Sequence, residues 1–200
     1  MFAESEYRGA DFSEAELLDE EIRLITFRSC RFTGAKLSGS LLTGCRFEDC
    51  DFSAAELNGV IAVRCAFLNC RFRFASCFAA EFRDCKMTGS SFEETNCTAM
   101  QIDAGDWSYT WLSGMDFRRQ TLSGVNFTEA DLSGCDFGKA TLRECNFTGA
   151  NLNRASFRQA DLRGSRLERV NLSAIDLHQA KIDLEQATLF AESLGAVYTP

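Results

Sequence analysis

The chain is nearly devoid of proline and histidine and has no long apolar run. Of its 200 residues one is Pro and one is His, His178. A single imidazole excludes multi-histidine metal sites within one chain. No stretch approaches the roughly 18 apolar residues that a membrane-spanning helix requires. Met1 to Gly9 shows no basic segment followed by an apolar one, so no secretory signal is expected. Positive charge is also scarce, with 21 Lys and Arg against 29 Asp and Glu and a net charge of -8. That balance argues against holding nucleic acid through a general cationic surface. Phe and Cys, by contrast, are plentiful at 18 and 10 residues. With no secretory signal expected, ten cysteines point to the reducing cytoplasm, where they remain thiols.

The phenylalanines fall into register when the chain is written in fives. From Tyr7 to Ile182 there are 36 positions whose number ends in 2 or 7, and 33 of them hold Phe, Leu, Ile, Met, Tyr or Trp. The exceptions are Ala62, Cys77 and Cys97. Two residues earlier lies a second register of small side chains, such as Ala35, Ala55, Ala130 and Ala160. Eight of the ten Cys sit there and the other two on the large-residue register, so all ten are expected to point inward. Eleven of the 14 Gly follow the large residue by two, a place for corners that need a permissive backbone. Clear copies of the unit are Ala130-Asp131-Leu132-Ser133-Gly134 and Ala160-Asp161-Leu162-Arg163-Gly164.

A period of five fits neither a helix at 3.6 nor a strand at 2. It fits a chain that turns a corner every five residues and closes a square coil every twenty. Coils stacked at strand spacing, about 4.8 Å, would make nine turns and roughly 43 Å of length. Residues twenty apart would then stack, giving aromatic columns such as Phe27, Phe47, Phe67 and Phe12, Phe32, Phe52, Phe72, Phe92.

These repeats resemble the pentapeptide-repeat family from Tyr7 to Ile182. The resemblance implies an all-β solenoid, a right-handed quadrilateral β-helix of about nine coils over residues 1–182. Residues 183–200 would form a short C-terminal α-helix and tail for capping and dimerisation.

Two stretches depart from the pattern. Val60 to Val63 puts apolar residues outward, and Leu41 and Ile61 should stack there as a small patch. Met100 to Met115 contains Gly105, Trp107, Tyr109 and an outward Trp111, and Met100 and Met115 occupy small-residue sites, which predicts a distorted or kinked coil. Beyond the repeat, Asp183 and Gln186 read as a capping box for a helix from Leu184 to Leu194, with Gly195 just past its end. Leu184, Ala187, Phe190, Ala191 and Leu194 share one face, which is expected to seal the last coil, while Leu189 points away. Ala196 to Tyr198 would extend as a short strand.

Neither catalysis nor cofactor binding is indicated. The cysteine spacings are multiples of five, unlike the C-x₂-C pairs of zinc sites, and are read as core filler. No nucleophile elbow, phosphate loop or calcium loop is present. Carboxylate pairs such as Glu20-Glu21 and Glu93-Glu94 lie on solvated sides. The expectation is a protein with no metal, no cofactor and no enzyme activity.

Within the family, the chain resembles the MfpA, AlbG and Qnr branch through its length, its coils without large projecting loops and its tail, Ile182 to Ala191. That resemblance implies a DNA-mimicking homodimer joined through its C-terminal ends that binds DNA gyrase or a related type II topoisomerase. It would protect that enzyme from quinolones or other poisons without itself binding nucleic acid or membrane. Leu189, Phe190, Val197 and Tyr198 would form the dimer contact. The charge is unevenly placed. Residues 1–21 carry eight acids and only Arg8, residues 176–200 four acids and only Lys181, and the stretch between 17 acids and 19 bases. Asp176, Asp183, Glu185 and Glu192 are therefore the candidate gyrase-facing acids, placed to attract a basic DNA-binding saddle. The rival reading is a scaffolding solenoid with a different protein partner.

Overall fold

The computed structural model describes residues 2–197 and 199. Two compact units are present, Met1–Trp111 and Leu112–Pro200, and the boundary falls inside the irregular Met100 to Met115 stretch.

The first unit is a parallel-strand solenoid. Its strands are three residues long because each side of the coil has room for only one inward large residue between two outward neighbours. They are β1 (Glu6–Arg8), β2 (Glu21–Arg23), β3 (Thr26–Arg28), β4 (Leu41–Thr43), β5 (Arg46–Glu48), β6 (Ile61–Val63), β7 (Ala66–Leu68), β8 (Glu81–Arg83) and β9 (Gln101–Asp103). They form two parallel sheets, ordered β1-β3-β5-β7 and β2-β4-β6-β8-β9, so about five turns are stacked. Partners are twenty residues apart, as in Tyr7 with Phe27 and Leu41 with Ile61. Two further sides are joined by single bridges, Asp11 to Arg31 to Asp51 to Arg71 on one and Glu16 to Lys36 to Glu56 to Ser76 on the other. Four sides in twenty residues reproduce the expected square coil.

The second unit keeps the same register through bridges alone. Asp116, Asp136, Ser156 and Asp176 form one column, and Thr121, Thr141, Asp161 and Lys181 another. A short 3-10 turn at Leu172–Ala174 precedes the one α-helix among the described residues, α1 (Leu184–Ser193).

The inward registers are the core. Phe27, Phe47, Phe67, Phe127, Phe137 and Phe147 are fully buried, as are Ala35, Ala55 and Ala130. Rings in one column stack nearly parallel, with Phe27 and Phe47 at 4.9 Å and 5°, and Phe32 and Phe52 at 4.8 Å and 6°. Columns on adjacent sides meet edge to face, as Phe47 does with Phe52 at 5.3 Å and 72°. Both arrangements suit the ring quadrupole, and each is worth about 0.5–1.5 kcal/mol beyond area burial.

The corners are left-handed almost without exception. Eleven of the glycines take φ between 59° and 78° there, but so do bulky residues such as Leu24 (φ 54°), Phe74 (φ 60°) and Tyr109 (φ 58°). A side chain in this region costs about 1–2 kcal/mol. Inter-coil hydrogen bonding at the same residues, such as Asp49 N–H to Leu68 O at 2.9 Å, helps offset that cost.

The expected distortion in Met100 to Met115 is local. Ala104 and Gly105 are both left-handed, at φ 57° and 101°, whereas Met100 and Met115 are buried in their sites.

α1 starts as the sequence predicts but faces differently. Gln186 N–H donates to Asp183 Oδ1 at 3.1 Å, and Asp183 N–H donates to Gln186 Oε1 at 3.1 Å, closing the capping box. Gly195 lies just past the helix with φ 89°. The expected sealing face is covered only in part: Ala187 and Phe190 are half-buried, whereas Leu184 and Leu194 are 79% and 81% exposed. The residue at the coil end is Gln186, 1% exposed, whose Nε2 donates to Leu162 O at 2.5 Å and Ser165 O at 2.8 Å. Two solenoid carbonyls need donors there, and an amide supplies them where leucine could not. Leu189, expected to point away, is half-buried. Ala196 and Val197 form no strand, and Tyr198 lies outside the described residues.

Candidate protein-interaction surfaces

The interior is lined by apolar side chains, thiols and a few hydroxyls. All ten cysteines are free thiols, nine of them buried. Burial pushes the Cys135 and Cys145 thiols up to about 12, so neither is a thiolate at neutral pH. Their placement nevertheless follows a rule that volume alone does not give. The sulfur repeatedly donates to the carbonyl 23 residues earlier, as Cys45 to Ile22 O at 3.3 Å, Cys50 to Phe27 O at 3.4 Å and Cys135 to Leu112 O at 3.1 Å. Ser40, Ser90 and Ser165 make the same bond from the same register. Serine and cysteine thus make the same bond at this register, a signal already present in the sequence as Ser among the Cys and Ala. Cys50→Ser is expected to lose less than about 1 kcal/mol in urea unfolding, because its hydroxyl inherits the Phe27 carbonyl. A loss above about 2 kcal/mol would mean that the site accepts only apolar filler.

Outward side chains are ordered by the same twenty-residue stacking. The acids of the first coil are exposed except Glu20, which is half-buried. Four of them meet bases on the same or the next coil: Asp11 with Arg31 at 2.7 Å, Glu16 with Lys36 at 3.0 Å, Glu6 with Arg8 at 2.9 Å, and Glu21 with Arg23. Among the described residues Glu4, Glu14, Asp19 and Glu20 hold no ion pair, so half of this acidic coil is left to act on its surroundings.

The four acids singled out near the C-terminus are in three different situations. Asp176 is exposed and pairs with Arg158 at 3.3 Å. Asp183 is the cap of α1. Its Oδ2 also accepts from Gly164 N–H at 2.7 Å, and the Gly164 and Gln186 amides hold its carboxyl below the usual range. Glu185 and Glu192 are exposed on α1, two turns and roughly 10 Å apart along its axis. Of the residues expected at a dimer contact, Leu189 and Phe190 are half-buried and Val197 is exposed. Exposed Leu184 and Leu194 add apolar surface that the sequence reading assigned to the interior.

A separate surface lies on the first unit. Trp111, on the outside of its side, is 56% exposed, and Tyr109 and Phe74 at corners are equally open. Arg73 lies 4.6 Å over the Phe74 ring. Trp, Tyr and Arg are the residue types that dominate protein interfaces. Among the described residues no group of three or more His, Cys, Asp or Glu is arranged to hold a metal ion, and no helix is long and apolar enough to cross a membrane.

This geometry defines a class, the four-sided parallel β-solenoid built on five-residue repeats. The chain belongs to the pentapeptide repeat family, whose model matches eight copies over residues 30–67, 108–138 and 140–179. Among solved structures it is similar to QnrB1, a plasmid-mediated fluoroquinolone resistance protein. A trypsin-treated variant of QnrB1 superposes with TM-score 0.84 at 29% identity, covering 98% of this chain and 97% of that one. Full-length QnrB1 gives 0.74 at 26% identity, covering 96% and 97%. Comparison with curated proteins by sequence finds no match.

Proposed function

We propose that this chain is a non-catalytic, protein-binding solenoid that engages DNA gyrase or a related type II topoisomerase and protects it from topoisomerase poisons. The observation that carries the proposal is the likeness to QnrB1, a fluoroquinolone resistance protein, over 98% of the chain at TM-score 0.84. The right-handed, nine-coil form, the cytoplasmic location and the independence from cofactors belong to the same proposal.

In this reading the protein works by DNA mimicry as a homodimer joined through its C-terminal ends. Exposed Leu184, Leu194 and Val197 on and after α1 support that contact, in which Leu189, Phe190 and Tyr198 would take part. Glu185 and Glu192, with Asp176 and Asp183, would give the joint its negative charge and attract a basic DNA-binding saddle. Asp183 contributes least, because its oxygens already accept two backbone N–H groups.

The test is a supercoiling assay with purified gyrase, with and without a quinolone. The protein is expected to inhibit supercoiling or to preserve it against the drug. The combined variant Asp176→Asn, Asp183→Asn, Glu185→Gln, Glu192→Gln is expected to lose at least about tenfold in potency, since removing charges that steer association slows it by one to three orders of magnitude. Asn keeps the α1 cap through its single amide oxygen but gives up the bond from Gly164 N–H, so the unfolding midpoint is measured alongside. No effect of the parent protein would overturn the proposal, and unchanged potency of the variant would overturn the acidic-joint assignment.

The exposed Tyr109, Trp111 and Phe74 favour a second reading, a scaffold that binds a different protein through the first unit. Trp111→Ala with Tyr109→Ala separates the two, since gyrase protection through the C-terminal end survives that change.

A further inference from the structure

We infer that the second unit carries a binding groove for an oligophosphate group, the phosphate chain shared by inorganic polyphosphates and nucleotides. A cavity of about 710 Å³ opens on this unit, lined by Arg118, Arg119, Lys139, Arg158 and His178, with Gly138 among them. The two carboxylates in the lining, Asp116 and Asp136, and Asp176 paired with Arg158 beside it leave an excess of one positive charge on a chain whose net charge is -8. Arg118 is held by Asp116 at 2.5 Å and by Asp136 at 3.7 Å, and Arg158 by Asp176 at 3.3 Å. Among the described residues Arg119, Lys139 and His178 hold no ion pair.

Gly138 is the second observation. Thirteen of the 14 glycines have left-handed backbone and Gly138 alone does not, so its conformation does not call for glycine. A Cβ built there would sit 3.0 Å from Asp136 Oδ1, 3.6 Å from Arg118 Cγ and 3.8 Å from Arg158 O. Residues 118, 138 and 158 stack at twenty-residue intervals, so a side chain at 138 would fill the gap between the two arginines. With coils about 4.8 Å apart, the backbones of Arg118 and Arg158 stand roughly 10 Å apart, and those of Arg119 and Lys139 roughly 5 Å apart. That spacing suits several phosphates in a row, each taken by a guanidinium fork or an ammonium. A nucleic-acid backbone needs a longer cationic track. Here Asp116, Asp136 and Asp176 interrupt one.

Isothermal titration of the full-length protein at low salt, with sodium tripolyphosphate and separately with ATP, tests the assignment. One saturable site is expected. Arg119→Ser with Lys139→Ser, both on the outside of the coil, is expected to weaken it by at least about tenfold, the equivalent of one charge-assisted contact. Gly138→Glu is expected to do the same by filling the groove and adding a negative charge, with the unfolding midpoint measured alongside. Equal affinity for the two probes identifies the phosphate chain alone as the ligand, and ATP about tenfold tighter identifies a nucleotide. No binding at about 1 mM tripolyphosphate, or unchanged affinity in the double variant, overturns the inference. The variants at 119, 138 and 139 leave all four proposed gyrase-facing acids in place, so their outcome is read apart from gyrase protection, although Asp176 also pairs with Arg158 of the groove.

Discussion

Phe47→Ala is expected to cost about 3–5 kcal/mol, a large part of the stability of a typical domain. The ring lies between Phe27 at 4.9 Å and Phe67 at 4.7 Å in its own column. It also meets Phe32 at 5.8 Å and Phe52 at 5.3 Å edge to face. Deleting it therefore removes one buried ring and four ring contacts together. Collapse into the gap is resisted because the coil spacing is fixed by hydrogen bonds on all four sides, such as Phe52 N–H to Arg71 O at 2.7 Å. Phe47→Leu, which keeps most of the volume, is expected to lose about half as much. The measurement is urea unfolding of the three proteins. A loss below about 1.5 kcal/mol for the alanine variant would show that the interior repacks freely.

The second large effect is expected at Gly105. It occupies the inward register held by Cys45, Cys65 and Cys85 in the preceding coils. There its φ is 101° and an added Cβ would stand 2.2 Å from Cys85 O and 2.9 Å from Cys85 N. Both are backbone atoms inside the ladder and neither can swing aside. Gly105→Ala is expected to lose upward of about 3 kcal/mol, the sum of a strained backbone and a forced shift of the neighbouring coil. Gly59→Ala is the control, with φ 63° and nothing within 4 Å of the added Cβ. It is expected to cost only the left-handed penalty of about 1 kcal/mol. Equal losses in thermal unfolding of the two variants would refute the steric part of the argument.

The square coil was legible because it has one cause repeated many times. A large apolar residue every fifth position admits one solution, and Phe27 beneath Phe47 follows from counting. The capping box was legible for a similar reason, since Asp183 and Gln186 act on backbone atoms close in sequence. The facing of α1 was not. A helical wheel buries Leu184 and Leu194, but the rotation of the helix is set by Leu162 O and Ser165 O, which lie more than twenty residues away and ask for Gln186. The local pattern marks Asp183 as a cap and a candidate surface acid, but its bond from Gly164 N–H spans nineteen residues and is invisible to that pattern. The basic groove was within reach of the same counting, because Arg118, Gly138, Arg158 and His178 are twenty residues apart. Net charge hid it, since summing over the chain erases which column a base stands in.

The twenty-residue pairing also governs how such a gene can change length. Within the first unit, inserting a single pentapeptide between Phe52 and Phe72 would keep every downstream inward residue inward, so the interior would tolerate it. Each outward side chain beyond the insertion would move a quarter turn onto the neighbouring face, and the ladder Asp51, Arg71, Ser91, Trp111 would be broken at its first step. Duplicating four pentapeptides instead restores each face to its place one level higher. Core and surface thus obey different counting rules, five for folding and twenty for recognition, and tandem duplication of a whole coil is the length change that preserves both.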